Sequence, residues 1–165
     1  MGTLVEDAHK AAQWMSTALN SSGYRADFSL KSLKEIDRFF DEHSSNGQAI
    51  AGGLLSQDLG SRLFSLGAYV GEVIRRTYGG TWRGDDGNPR GEIEIEMVLP
   101  GGGVIWPVQR VMKRFANGTE DGVHVYGLFV GEQLHPVSDC KLPGADSPAK
   151  ESTNRLDRPW WRFWR

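Results

Sequence analysis

The chain has very little cysteine, no long apolar run and no marked excess of either charge. Its single cysteine, Cys140, excludes an internal disulfide framework and a zinc site built from cysteines, and it is typical of a reducing compartment. No stretch approaches the roughly 18 consecutive apolar residues that a membrane-spanning helix requires. The first residues show no basic region followed by an apolar run, so no secretory signal is predicted. We therefore expect a cytoplasmic protein.

The charge balance bears on the kind of partner. Against 21 acidic residues stand 19 basic ones, which gives a formal net charge of −2. A balance of this kind produces no global field that would concentrate the protein on nucleic acid or on an anionic membrane. Nucleic acid is therefore not an expected partner, and any contact with a membrane has to be local.

The length and the distribution of apolar residues predict one domain followed by a tail. A chain of 165 residues is long enough to bury a hydrophobic core without disulfides or a structural metal. Between Pro143 and Pro159 the chain holds Pro, Ser, Ala and mixed charges with little to bury, which is typical of a linker. We expect a domain over residues 1–142, a linker over 143–157 and a C-terminal tail over 158–165.

Three helices are predicted in the first half of the chain. Apolar residues at a spacing of three and four line one face of residues 3–19. A second helix is expected to begin at Ser32, with a capping box that pairs Ser32 and Glu35, and to end near His43. The third and longest helix is predicted over residues 57–78.

Two glycines interrupt the long third helix. Gly67 and Gly71 lie four residues apart on one helical face, and each costs about 1 kcal/mol of helix propensity relative to alanine. The spacing predicts the close approach of another backbone, which a side chain would block. On the same helix, Glu72 lies at helical spacing from Arg75 and Arg76, a pattern typical of an ordinary surface ion pair.

Beyond Trp82, which we expect in the core, the pattern changes from helical to alternating. Residues 92–99 place Glu92, Glu94 and Glu96 on one face and apolar side chains on the other, as in a half-buried strand. We expect residues 80–83 to pair with this strand as a hairpin, and residues 104–106 and 123–130 to form further strands, with a helix over 107–118 between them. The fold class predicted is α+β, with N-terminal helices and a long central helix packed on a small, mainly antiparallel sheet of three or four strands.

Several segments together resemble a known family. Residues 66–72 (LGAYVGE), Trp82, the dipeptide at 106–107 (WP) and residues 112–118 (MKRFANG) are similar to the bacterial domain-of-unknown-function family 3806 and its relatives. The resemblance covers roughly residues 59–130. It implies a small bacterial cytoplasmic protein and supplies no catalytic residues.

The three glutamates are the main candidates for chemistry. Carboxylates along one face of a strand can converge on a hard cation or perform acid–base work, and His124 from a neighbouring strand could join them. This pattern gives the alternative hypothesis of a small metal-dependent hydrolase. However, three like charges opposite a row of apolar residues are also typical of a solvent-facing sheet surface, and we favour that interpretation. The four histidines show no pair at metal-ligand spacing, so no metal and no cofactor are predicted.

The last eight residues concentrate aromatic and basic side chains. Three of the six tryptophans lie within the last six positions, and no acidic residue occurs from position 158 onward. Because water disfavours exposed apolar area, we expect such a segment to contact something. Four occupants stay open: a groove on a partner protein, an apolar groove on the same chain, a membrane interface and, as a weaker option, single-stranded nucleic acid. The predicted binding residues are Arg158, Trp160, Trp161, Arg162, Phe163, Trp164 and Arg165.

The sequence contains no recognisable catalytic motif. We therefore expect a non-enzymatic protein-binding module, of an accessory or immunity-like kind, whose C-terminal peptide docks on another protein.

Overall fold

A 20-residue helix, α3 (Leu59–Tyr78), is the centre of the fold. The structure is a computed structural model that describes residues 2–134. Along α3, every residue from position 63 to position 74 is buried. Helix α1 (Leu4–Ser21) and helix α5 (Pro107–Asn117) both pack along it. The remaining long helices, α2 (Leu33–His43) and α6 (Val123–Leu134), pack against each other.

The described residues form helices and two small antiparallel sheets, so the α+β fold class is confirmed. One sheet is the short hairpin of β1 (Ser44–Ser45) and β2 (Gln48–Ala49). The other has three strands in the order β3 (Thr81–Arg83), β4 (Glu96–Val98) and β5 (Val104–Ile105). Within residues 2–134, no helix is long and apolar enough to cross a membrane.

A capping box is predicted at the start of the second helix, but the structure has one at the start of the first helix instead. Thr3 and Glu6 form a reciprocal capping box at the start of α1. The capping box predicted for Ser32 is absent, since Ser32 belongs to the 3-10 turn Leu30–Ser32 that precedes α2. Its hydroxyl lies 2.7 Å from the Tyr69 hydroxyl instead. The Ser32 side chain, which the local sequence pattern assigned to the helix cap, therefore contacts α3 instead.

The hairpin between residues 80–83 and the alternating segment is confirmed, but the predicted strand is shorter. Trp82 lies opposite Met97, and both side chains are buried. Upstream of β4 the chain forms a single helical turn, α4 (Gly91–Glu94), because the amide of Glu94 bonds to the carbonyl of Arg90 rather than to a strand. The prediction of one strand over residues 92–99 is therefore wrong for its first half.

The last predicted strand, over residues 123–130, is a helix. Asp37 on α2 accepts hydrogen bonds from the amides of Val123 and His124, at 3.0 and 3.1 Å, and so satisfies the first free donors of α6. Gly127 then packs closely on α2, where a Cβ atom would lie 2.7 Å from Leu33 Cδ1. Tertiary contacts of this kind override the strand preference of valine and tyrosine.

The predicted close approach of a backbone to the glycines of α3 is confirmed at Gly67 and wrong at Gly71. A Cβ atom on Gly67 would lie 2.5 Å from the Cα atom of Val108, so the α5 backbone approaches α3 here. At Gly71 the neighbour is the indole of Trp82, 2.2 Å from such a Cβ atom, rather than a backbone. Both glycines are therefore required by packing, and Trp82 lies in the core as expected.

Candidate functional site

Helix α6 presents its outer face to solvent. Its first turn is fixed by Asp37, whose carboxylate also binds the buried guanidinium of Arg114 at 2.9 Å. Arg114 in turn donates a 2.6 Å hydrogen bond to Asp41. This network ties together α2, α5 and α6, so the helix is held in one orientation.

The outer face of α6 is apolar over its first two turns, which is unusual for a solvent-exposed helix, and it continues into the exposed polar residues Glu132 and Gln133. Val125, Leu128 and Phe129 lie at positions i, i+3 and i+4 and are 67%, 43% and 53% exposed. On the opposite side, Val123 and Val130 are buried in the core. We call Val125, Leu128 and Phe129 the α6 face. An exposed group of large apolar side chains on one helix face is a feature of protein-interaction surfaces.

Sequence reasoning missed the α6 face because it assigned residues 123–130 to a strand. Alternation in a strand would place Leu128 on the side opposite Val125 and Phe129. The signal that could have found the surface is the apolar character of the segment on every side, which exceeds what a helix buried on one side requires.

The structure separates the three glutamates that the sequence placed on one face. Glu94 and Glu96 line a polar cleft beside Trp106, whereas Glu92 borders an apolar groove that includes Leu63 and Met112. The single helical turn of α4 rotates the glutamates relative to one another. The prediction of one acidic face is therefore wrong.

Each glutamate in the cleft already has a partner. Glu96 pairs with Arg83 across the strands, and Glu94 accepts a 2.5 Å hydrogen bond from the Asn88 amide. His124 is on α6, not on a neighbouring strand, and does not line the cleft. Among residues 2–134, no group of three or more His, Cys, Asp or Glu side chains could hold a metal ion.

Glu72 is the charged residue whose predicted position at the surface differs most clearly from its position in the structure. It is only 1% exposed, and its carboxylate accepts hydrogen bonds from Arg75 at 2.8 and 2.9 Å and from the Trp82 indole at 2.8 Å. Arg76 and His9 lie 3.3 and 3.1 Å away. The interpretation of Glu72 as part of an ordinary surface ion pair is therefore wrong.

The surroundings of Glu72 set its protonation state. Burial raises the pKa of the carboxyl, but the hydrogen bonds from Arg75 and Trp82 and the charges of Arg75 and His9 outweigh burial and lower the pKa to about 2. Glu72 is therefore ionised at neutral pH. Both of its oxygens are occupied by this chain's own side chains, so the cluster joins α1, α3 and β3 and is not an open reactive site.

The predicted binding residues of the tail lie outside the described residues, as do the predicted linker and Cys140. They are Arg158, Trp160, Trp161, Arg162, Phe163, Trp164 and Arg165. Their role as a docking peptide stays a prediction.

Comparisons of the chain with protein-family models, with curated proteins and with solved structures give no match. The resemblance to family 3806 therefore stays a prediction.

Proposed function

We propose that this protein is a non-enzymatic module that binds another protein, with the α6 face as the folded part of its interface and residues 158–165 as an accessory docking peptide. The partner is a protein with an apolar groove bordered by acidic side chains. The module would act in the bacterial cytoplasm as an accessory or immunity-like factor.

The observation that carries the proposal is the exposure of Val125, Leu128 and Phe129 on a helix that is otherwise well anchored. Large apolar side chains at i, i+3 and i+4 are the anchors that grooves accept from a helix. The Asp37 cap and the Arg114 network hold the helix in place, so little ordering cost would accompany binding.

The composition of the tail supports the chemistry proposed for the partner. Arg158, Arg162 and Arg165 carry positive charge, and no acid lies among the last eight residues. An acidic border on the partner would complement this charge and steer association. Trp and Arg are the residue types most enriched at binding hot spots.

The proposal can be tested by capturing partners with four forms of the protein. These are the full chain, a chain ending at Asp157, the Phe129→Ser variant and the Trp14→Ser variant. Trp14 is 54% exposed and therefore a matched control for Phe129, since both are large aromatic side chains on helices that face solvent. Circular dichroism and Tm would establish that all four forms are folded.

We expect one protein to be retained by the full chain and by Trp14→Ser, and to be lost or bound at least about tenfold more weakly by Phe129→Ser. Weaker binding by the chain ending at Asp157 would support the role of the tail. The purified partner would then be titrated by calorimetry. Identical partner sets for all four forms would refute the proposal. Binding of the full chain, but not of the chain ending at Asp157, to anionic vesicles in place of a protein would also refute it and would favour a membrane contact of the tail.

A further inference from the structure

The outer face of the three-stranded sheet forms the floor of an open cleft. In the register of the sheet, Arg83 lies opposite Glu96, and Met97 lies opposite Ile105. The next residue along, Trp106, therefore falls beside Glu96, so that Arg83, Glu96 and Trp106 form one row across the sheet. The cleft has a volume of about 700 Å³, within the range of small-molecule sites.

Trp106 is 42% exposed, although its neighbours in sequence, Pro107 and Val108, are buried. Its position is fixed, because Pro107 begins α5 and the Trp106 carbonyl accepts a 3.0 Å hydrogen bond from Arg110. The backbone thus holds the large aromatic ring of Trp106 at the cleft, although the very next residue, Pro107, is buried.

The walls of the cleft are built from short segments that hydrogen bonds hold in place. The turn before α4 is held by the Asp85 carboxylate, which accepts from Gly87 N at 2.9 Å, and by Asn88, whose side-chain oxygen accepts from Arg90 N at 2.9 Å. Asp86 in the same turn anchors the start of α1 through the Leu4 amide. Gln109 on α5 completes the lining on the opposite side.

The polar groups around Trp106 share a planar geometry. A guanidinium, carboxylates and two amides offer pairs of hydrogen-bonding atoms in fixed planes, which suit the neighbouring hydroxyls of a sugar ring. The electron-rich face of an indole attracts the weakly positive C–H groups on the face of such a ring. The polar lining residues are Arg83, Asp85, Asn88, Glu94, Glu96 and Gln109.

We propose that this cleft binds a neutral saccharide, with the sugar ring stacked on Trp106 and its hydroxyls bound by the Arg83–Glu96 pair and by Gln109. The charges favour a neutral ligand. Three carboxylates in the lining repel an anion, and the ion pairs of Glu96 with Arg83 and of Glu94 with Arg90 balance two of the three charges that would attract a cation. This site lies apart from the α6 face, so it does not depend on the proposed protein interface.

The test follows the indole signal of Trp106 by NMR in the isotope-labelled full chain. Maltopentaose, cellopentaose and chitopentaose serve as neutral probes, added to millimolar concentration, and tetramethylammonium serves as the rival cation. Spectra of Trp106→Phe and Trp14→Phe assign the indoles of Trp106 and Trp14, which are the exposed tryptophans within residues 2–134. We expect a saturable shift of the Trp106 indole with at least one saccharide and no shift of the Trp14 indole.

The variants distinguish stacking from a general loss of structure. We expect Trp106→Ala to weaken saccharide binding at least tenfold and Trp106→Phe to retain part of the binding. Gln109→Ala should weaken binding more than the control Trp14→Ala does. The circular dichroism spectrum of each variant should be unchanged. The saccharide assignment is overturned if none of the three probes gives a saturable shift, if tetramethylammonium alone does so, or if Trp106→Ala binds as the unaltered protein does. Should Trp106→Ala fail to fold, Gln109→Ala and Trp106→Phe decide the matter on the same criteria.

Discussion

Whether a single charged residue of this protein can be buried depends on partners that come from other elements of the fold. Glu72 illustrates this, because its local pattern with Arg75 and Arg76 is that of a surface residue while Trp82 and His9 come from other elements. Burial of a charge is tolerated only when hydrogen bonds and opposite charge compensate it. Removal of the charge should therefore be costly.

We predict that Glu72→Gln lowers the free energy of unfolding by about 2 to 3 kcal/mol at neutral pH, because Arg75 and the Trp82 indole lose an ionised acceptor. The folded-state pKa of about 2 lies below the ordinary value of 4.5. The contribution of Glu72 is therefore complete above about pH 4.5 and declines as the pH falls toward 2.

Urea unfolding of both proteins over this pH range would measure the effect. The difference between them should narrow on acidification, and a difference that stays constant from pH 7 to about pH 2 would contradict the assignment. Glu94→Gln is a suitable control, because its ion pair with Arg90 is partly exposed and should contribute less than about 1 kcal/mol.

A second residue-scale prediction concerns Gly67. The Cβ atom of an alanine here would clash with the Val108 Cα atom, which belongs to a packed backbone and cannot shift easily. We expect Gly67→Ala to destabilise the protein by about 1 to 3 kcal/mol despite the gain in helix propensity. The matched control is Gly60→Ala on the same helix, where a Cβ atom would meet nothing within 4 Å and where up to about 1 kcal/mol of stabilisation is expected. Thermal unfolding of the two variants would compare them, and equal shifts in Tm would be inconsistent with a backbone contact at Gly67.

At the scale of elements, the orientation of α6 depends on α2. Asp37 both caps α6 and pairs with the buried Arg114. We predict that Asp37→Ala lowers the free energy of unfolding by about 2 to 4 kcal/mol and speeds amide hydrogen exchange within α6. Asp41→Ala is the control, since Asp41 also binds Arg114 but is half exposed and makes no hydrogen bond to α6. Equal hydrogen-exchange rates for the α6 amides in the two variants would contradict the role of Asp37 as the cap of α6.

The same element scale shows what sequence patterns predict well. Helices α1, α3 and α5 follow from the spacing of apolar residues along the sequence. Helices α4 and α6 do not. Alternating residues over 92–99 and β-branched residues over 123–130 favour strands locally, whereas contacts with α5 and with Asp37 select helices. The α6 face was missed for this reason, and the Trp106 cleft because it depends on strand register.

At the scale of the whole molecule, residues 2–134 contain one hydrophobic core to which helices α1, α2, α3, α5 and α6 all contribute. The segment over 143–157 has a composition with little to bury, so we predict that a chain ending at Leu142 unfolds with the Tm of the full chain. Differential scanning calorimetry of the two chains would measure this. A clear fall in Tm on truncation would show that the tail stabilises the domain, and would favour the intramolecular occupant over a partner protein.

The sequence by itself determined the α+β class, the long central helix, the packing role of Gly67 and Gly71 and the buried position of Trp82. These features depend on apolar periodicity and on residues whose conformational costs are large and local. Only the tertiary structure decided that Glu72 is buried, that residues 123–134 form a helix with an apolar outer face and that Trp106 lies at a polar cleft. Each of these depends on partners far away in sequence, and local spacing contains no information about which distant groups will neutralise a charge, cap a helix or leave a side chain exposed.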